Sequence, residues 1–268
     1  MLVHELMHPG LITCEPATKL GEVASPLREN HVHSLLVVSG EHGKPAGVVS
    51  DIDLLVGEWL ATDPDRLATM AAMTAGELMS KPLVSIAAEA GVNDAITRMR
   101  TEHVARLVVV DGGRPVGVIA IPDIVAAIAD TPLKRGTVRD VMSWGIVVCQ
   151  AGTPLRAAAR AMTERRSRSL VVIDAKGHGV GIVTGLDLLP ELIAPAEAVD
   201  ARTIDGLMHP PVTIDPDATL QEAADLMLSR EIHRLLVVDP ATPDGLPMGI
   251  ISTSDIVATM AGDGSAWR

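Results

Sequence analysis

The chain has no phenylalanine and no tyrosine, and its 268 residues include three tryptophans, Trp59, Trp144 and Trp267. A core without rings must be packed from Leu, Ile, Val, Met and Ala, and a bound nucleobase would find little aromatic surface to stack on. Two cysteines, Cys14 and Cys149, are too few for a disulfide scaffold. Positive charge is scarce: 22 Lys and Arg against 34 Asp and Glu give a net charge of −12. That argues against the clustered basic surface needed to neutralise nucleic-acid phosphates. A small anionic ligand is not excluded, since it needs only a few local positive groups. Long apolar runs are missing too: hydrophobic content is 47%, yet the aliphatic runs end after about five or six residues, far short of a membrane span or signal peptide. A cytoplasmic protein, bound to neither membrane nor nucleic acid, is expected.

What is present is repetition. Met7, Met79, Met142 and Met208 each open the same unit: a short apolar run, an all-aliphatic run, then a Gly followed six residues later by an Asp. From the opening Met to the first Leu of the aliphatic run (Leu35, Leu107, Leu170, Leu235) the spacing is 28, 28, 28 and 27 residues. The pairs Gly47 and Asp53, Gly117 and Asp123, Gly181 and Asp187, and Gly249 and Asp255 are each 6 apart. Only the stretch between Leu and Gly varies, through 12, 10, 11 and 14 residues, and its Gly, Pro, Ser and Asp content marks a turn. Fixed lengths on both sides of one variable turn imply two packed strands joined by a surface hairpin. A period of 63 to 72 residues between opening methionines favours two domains of two repeats. A unit so small is marginal alone and must bury its sheet against a copy of itself. Cys14 and Cys149 both fall seven residues after an opening Met, so they are expected at equivalent strand positions, as core thiols rather than a redox pair.

Within each unit the pattern predicts a short opening helix such as Ala75-Gly76-Glu77-Leu78-Met79 and then a strand, for example 83–86 or 211–214. An amphipathic helix follows, with small or apolar residues at Leu20, Val23 and Leu27; Val92, Ala95 and Met99; Leu155, Ala158 and Met162; Leu220, Ala223 and Met227. In the last copy Asp217 and Thr219 are candidate caps. The aliphatic run lacks alternation, the mark of a strand buried on both faces, and a second helix is expected to start near each Asp, as over 123–129 and 187–192. The order is helix, strand, helix, strand, strand, helix.

This order and these spacings resemble the CBS domain, named for cystathionine beta-synthase, whose paired copies form a Bateman module. The resemblance runs over nearly the whole chain, in repeats at about 1–60, 74–130, 136–194 and 202–262. It implies an α/β (α+β) fold with four CBS repeats in two pseudo-twofold pairs, 1–130 and 131–268, since adjacent copies join in this family. It also implies clefts for adenosine-containing ligands: AMP, ADP, ATP or S-adenosylmethionine, with Mg present only if carried by ATP.

The residues before each Asp are Ser50-Asp51-Ile52, Ala120-Ile121-Pro122, Thr184-Gly185-Leu186 and Ser252-Thr253-Ser254, so three copies read Ser/Thr-x-x-Asp at a strand-to-helix junction. One reading is a capping box variant. The other is that Asp53, Asp123, Asp187 and Asp255 accept hydrogen bonds from ribose hydroxyls while the hydroxyl and the helix start receive a phosphate; recurrence in four matched places favours it. Just before each aliphatic strand stand His33-Ser34, Ala105-Arg106, Arg168-Ser169 and His233-Arg234, with a basic group in every copy. A solvated strand end is the plain alternative, but in an acidic chain a basic group recurring at one register suits a phosphate.

Four-repeat members, notably the regulatory gamma subunit of AMP-activated kinase, set the Asp of one repeat against the basic pair of its partner. Carried over, Thr184 and Asp187 face His233 and Arg234, Ser50 and Asp53 face Arg106, Ser252 and Asp255 face Arg168, and Asp123 faces His33. The first of these is the favoured cleft; the last, where Ala120 replaces the hydroxyl, is expected to be the silent one. His4-Glu5-Leu6-Met7-His8 spells the zinc-protease motif H-E-x-x-H, but it occupies the ordinary opening helix of a repeat and has no evident third ligand. The resemblance thus implies a regulatory adenine-nucleotide sensor without catalytic activity, its output passing to a protein partner or through a homodimer. The competing reading is a structural or docking scaffold with degenerate sites.

Overall fold

The computed structural model describes residues 1–30, 32–40, 44–51, 53–54, 73–128, 136–165, 167–192, 201–241 and 245–260. Trp59, Trp267, the turn tips at 41–43 and 242–244, and the end of the helix expected over 123–129 lie outside the described residues.

The expected order of elements is present. Repeat two runs through helix Ala75–Leu78, strand Ser85–Ala87, helix Val92–Thr101, strands Arg106–Asp111 and Arg114–Ala120, and helix Ile121–Ile128. Repeat four opens instead on a 3-10 turn, Ile204–Gly206, where Gly206 lowers helix propensity. The first strands are shorter than expected, Ser85–Ala87 and Thr213–Ile214; in the second, Pro211 at the expected first position has no N–H to give a ladder. Each amphipathic helix buries a stripe at i, i+3, i+4 and i+7, as at Leu155, Ala158, Ala159 and Met162 or Leu220, Ala223, Ala224 and Met227. Thr219 caps the last of these, its side chain accepting from the Glu222 N–H. The aliphatic strand is central in each sheet, parallel to the short strand and antiparallel to the Gly-containing one. Leu107, Val108 and Val109 are all buried, as a strand covered on both faces requires.

The chain forms two compact units, and neither follows the division at residue 130. One comprises Met1–Leu11, Val84–Ile146 and Pro211–Arg268; the other comprises Ile12–Leu83 and Val147–Pro210. In the first, the helix stripes of repeats two and four share one core, with Ile96, Met99, Ala223 and Met227 among its members. In the second, repeats one and three share another, which includes Leu27, Leu35, Met162 and Leu170. The expected boundary follows covalent order, whereas the cores follow the apolar helix faces. Cys14 and Cys149 take equivalent places in the second unit, opposite Val37 and Val172 on parallel strands, as free thiols.

The opening segments are exchanged. His8 and Pro9, from repeat one, pair with Val118 and Gly117 of repeat two, while Ser80 of repeat two pairs with Val48 of repeat one. Ser143 of repeat three pairs with Ile250 of repeat four, and His209 of repeat four with Ile182 of repeat three. This accounts for the fixed glycine. A Cβ on Gly47 would stand 2.8 Å from both the Met79 sulfur and the Ser80 carbonyl oxygen, one on Gly181 2.8 Å from the Met208 sulfur, and one on Gly249 2.6 Å from the Ser143 carbonyl oxygen. Met7 and Met142 lie likewise against Gly117 and Gly249.

A methyl at Gly249 meets a backbone carbonyl that cannot swing away. Gly249→Ala is therefore expected to lose about 1–3 kcal/mol, read as a lower urea midpoint. Gly206→Ala, with nothing within 4 Å of the added carbon, is expected to leave the midpoint nearly unchanged.

Candidate functional site

Each motif Asp is fixed by its own turn. The Ser50 N–H and hydroxyl both donate to Asp53 Oδ2, at 2.8 and 2.7 Å. Thr184 does the same to Asp187, with both bonds at 2.7 Å, and Ser252 to Asp255 at 2.8 and 2.7 Å. In repeat two only the backbone bond from the Ala120 N–H to Asp123 remains, at 2.7 Å. The cap is therefore real, since the Asp satisfies an N–H that the first helical turn leaves without a partner. It uses the same single oxygen, Oδ2, in all four copies, and holds the carboxylate in one orientation.

Sheet register brings the basic positions to the same end. Ser34 lies opposite Ser50, Arg106 opposite Ala120, Ser169 opposite Thr184 and Arg234 opposite Ser252. The carbonyls of His33, Ala105, Arg168 and His233 accept from the N–H groups of Asp51, Ile121, Gly185 and Thr253. Every repeat thus gathers its own basic residue and its own carboxylate at one sheet end, where the helix dipole also favours negative charge.

The four ends differ in detail. His33 Nδ1 lies 2.9 Å from Asp51 Oδ2, and Asp51 is only 2% exposed, so this imidazole serves a buried acid that is not among the expected site residues. The available signal was its position, which Ile121, Gly185 and Thr253 fill elsewhere. In the same unit, burial pushes the Asp53 carboxyl above its ordinary 3.8, the two Ser50 hydrogen bonds pull it back, the Asp51 charge raises it and Arg168 lowers it. Arg168, which the resemblance sets against Ser252 and Asp255, thus bears electrostatically on the acid of repeat one.

Two histidines outside the expected set also enter. His8 Nε2 lies 2.8 Å from Asp123 Oδ1, and His209 Nε2 lies 2.9 Å from Asp187 Oδ1. Both follow an opening Met, where repeats two and three carry Ser80 and Ser143. The H-E-x-x-H spelling dissolves here: the helix is only Val3–Leu6, His4 Nδ1 is 3.2 Å from the Ala88 carbonyl oxygen, and His8 turns to Asp123. Among the described residues no cluster of three or more His, Cys, Asp or Glu side chains is arranged to hold a metal, and no helix is long and apolar enough to cross a membrane.

Comparison with known proteins identifies the repeat. The family model described as "CBS domain" matches residues 3–57, 75–130, 138–194 and 201–262. An uncharacterized protein of Methanocaldococcus jannaschii is 26% identical over 275 residues, a match covering 97% of this chain and 62% of that protein's length. The chain therefore spans less than two thirds of that relative. Among solved structures, another M. jannaschii protein, put forward as an archaeal homolog of g-AMPK, is 22% identical with a TM-score of 0.85, covering 97% of this chain and all of that one. A conserved protein of Pyrococcus horikoshii, 25% identical, covers the same shares with a TM-score of 0.64. The first of these two likenesses is one of fold.

Because the pKa of the Asp53 carboxyl is raised in the fold, its ionised form opposes folding, and stability falls as pH climbs from 3.8 through the raised value. Asp53→Asn is thus expected to melt higher than the parent chain at neutral pH, with the gain fading on acidification below about 3.8. A melting series against pH checks both the sign and the window.

Proposed function

The chain belongs to the CBS-domain family, and on that premise we propose that it is a regulatory, non-catalytic sensor of adenine nucleotides or a related adenosyl ligand. Asp53, Asp123, Asp187 and Asp255 take the ribose hydroxyls. The hydroxyls of Ser50, Thr184 and Ser252, with the basic groups of His33, Arg106, Arg168, His233 and Arg234, take the phosphate. The observation that carries this reading is the fourfold recurrence of a carboxylate bonded through Oδ2 by its own turn, at a sheet end that also bears a basic residue. A cap needs the first feature and gains nothing from the second. The basic groups suit a phosphate because charge-assisted hydrogen bonds are the strong ones. Occupancy then shifts the chain between arrangements by as much as the ligand's affinity differs between them, and a protein partner or a second copy reads the change.

Thermal melting with AMP, ADP, ATP and S-adenosylmethionine tests the reading. A ligand present at 100 times its dissociation constant adds about 2.7 kcal/mol, an easily read rise in melting temperature. No rise with any of the four leaves the repeats as a docking scaffold. By calorimetry, Asp187→Ala is expected to weaken nucleotide binding more than Asp123→Ala, because Thr184 supplies the hydroxyl that Ala120 lacks; the reverse order means that the hydroxyl is not a ligand contact.

A further inference from the structure

Asp123 and Asp187 share a feature that the repeat alone does not require. In both, Oδ2 is used by the turn, and Oδ1 is met by an imidazole: His8 at 2.8 Å and His209 at 2.9 Å. Neither histidine belongs to the repeat that carries the acid. Each is the residue after an opening Met and arrives on an exchanged segment, next to the strand that leads into the Asp turn. A carboxylate only accepts, so the imidazole nitrogen must carry the hydrogen. A ribose hydroxyl donating to Oδ1 finds one of that oxygen's acceptor positions already taken.

We infer that His8 and His209 are proton-controlled latches on two of the four ligand acids, dividing the chain's sites into a histidine class (Asp123, Asp187) and a serine class, where Ser80 and Ser143 take the same position. This rests on the reading of those acids as ribose acceptors. The side chains suit the role: His8 is 80% exposed and Asp123 12%, His209 69% and Asp187 19%. The acid is held and the imidazole can leave. Among the described residues, the charged group facing His8 is Asp123, with Val118 and Gly117 on the adjoining strand; the one facing His209 is Asp187, with Ile182 alongside. Protonation adds full charge to a bond the neutral ring already makes, so acid closes the latch. By linkage, ligand binding at these two sites expels protons.

An exposed pair of this kind shifts a competing equilibrium by only about two- to fivefold, so the test compares variants instead of reading one pH profile. AMP binding is measured by calorimetry on the whole chain, for the parent and for the His8→Ser, His209→Ser and double variants, at about pH 5.5 and about pH 8. The phosphate of AMP titrates in this window too, and it cancels in the ratio of variant to parent at each pH. Serine at these positions is already tolerated by the fold at Ser80 and Ser143, and melting curves verify it. The expected result is that the double variant binds AMP about two- to fivefold more tightly than the parent at the acid pH, with a smaller gain at the alkaline one. An equal ratio at both pH values, or weaker binding by the double variant, overturns the latch while leaving the nucleotide reading intact. No AMP binding by any variant at either pH overturns both.

Discussion

In all four repeats an opening methionine lies against the glycine of another repeat, and the rest of the molecule is arranged around that contact. Met79 meets Gly47, Met7 meets Gly117, Met208 meets Gly181 and Met142 meets Gly249. The flexible thioether can fill the gap only because the facing residue has no side chain. The same close approach lets the backbone following each Met hydrogen-bond along the edge of the Gly-containing strand, as between Val48 and Ser80 in both directions. An otherwise bare sheet edge is thereby covered. A repeat deprived of this segment would keep an open edge and a shallow core, which is why no copy is complete alone.

The contact also sets the chemistry. The glycine stands six residues before the Asp, so a segment clamped on the glycine brings the residue after its Met to the strand that leads into the Asp turn. Serine there leaves the site to its own turn and basic residues. Histidine there reaches the carboxylate, as His8 and His209 do. One position on the exchanged segment therefore distinguishes sites that the repeat itself makes alike. Asp51 plays a comparable part in repeat one, where a buried acid at an otherwise apolar or small position takes up the His33 imidazole.

The elements were readable from sequence where period and burial agree. The helix stripes at Leu155, Ala158 and Met162 and the unalternating Leu107-Val108-Val109 strand follow from spacing alone, since an amphipathic helix and a doubly covered strand leave unmistakable patterns. The strand expected over 211–214 shortens to Thr213–Ile214, because apolar content signals a strand but the ladder depends on N–H groups, which Pro211 lacks. Repeat order suggested a boundary near residue 130, yet the cores join repeats two and four and repeats one and three. Nothing in local periodicity says which apolar face meets which.

The sequence by itself therefore determined the unit: its elements, the Ser/Thr-x-x-Asp turn, the basic residue beside it and the family to which it belongs. These depend on residues close along the chain, where spacing translates directly into geometry. Only the tertiary structure decided what each unit receives from another: which Met covers which Gly, that Asp123 and Asp187 each meet a histidine, and that Arg168 bears on Asp53. Those contacts join residues as far apart as His8 and Asp123. No spacing encodes them, because they arise from the packing of sheet edges and helix faces after the local structure has formed.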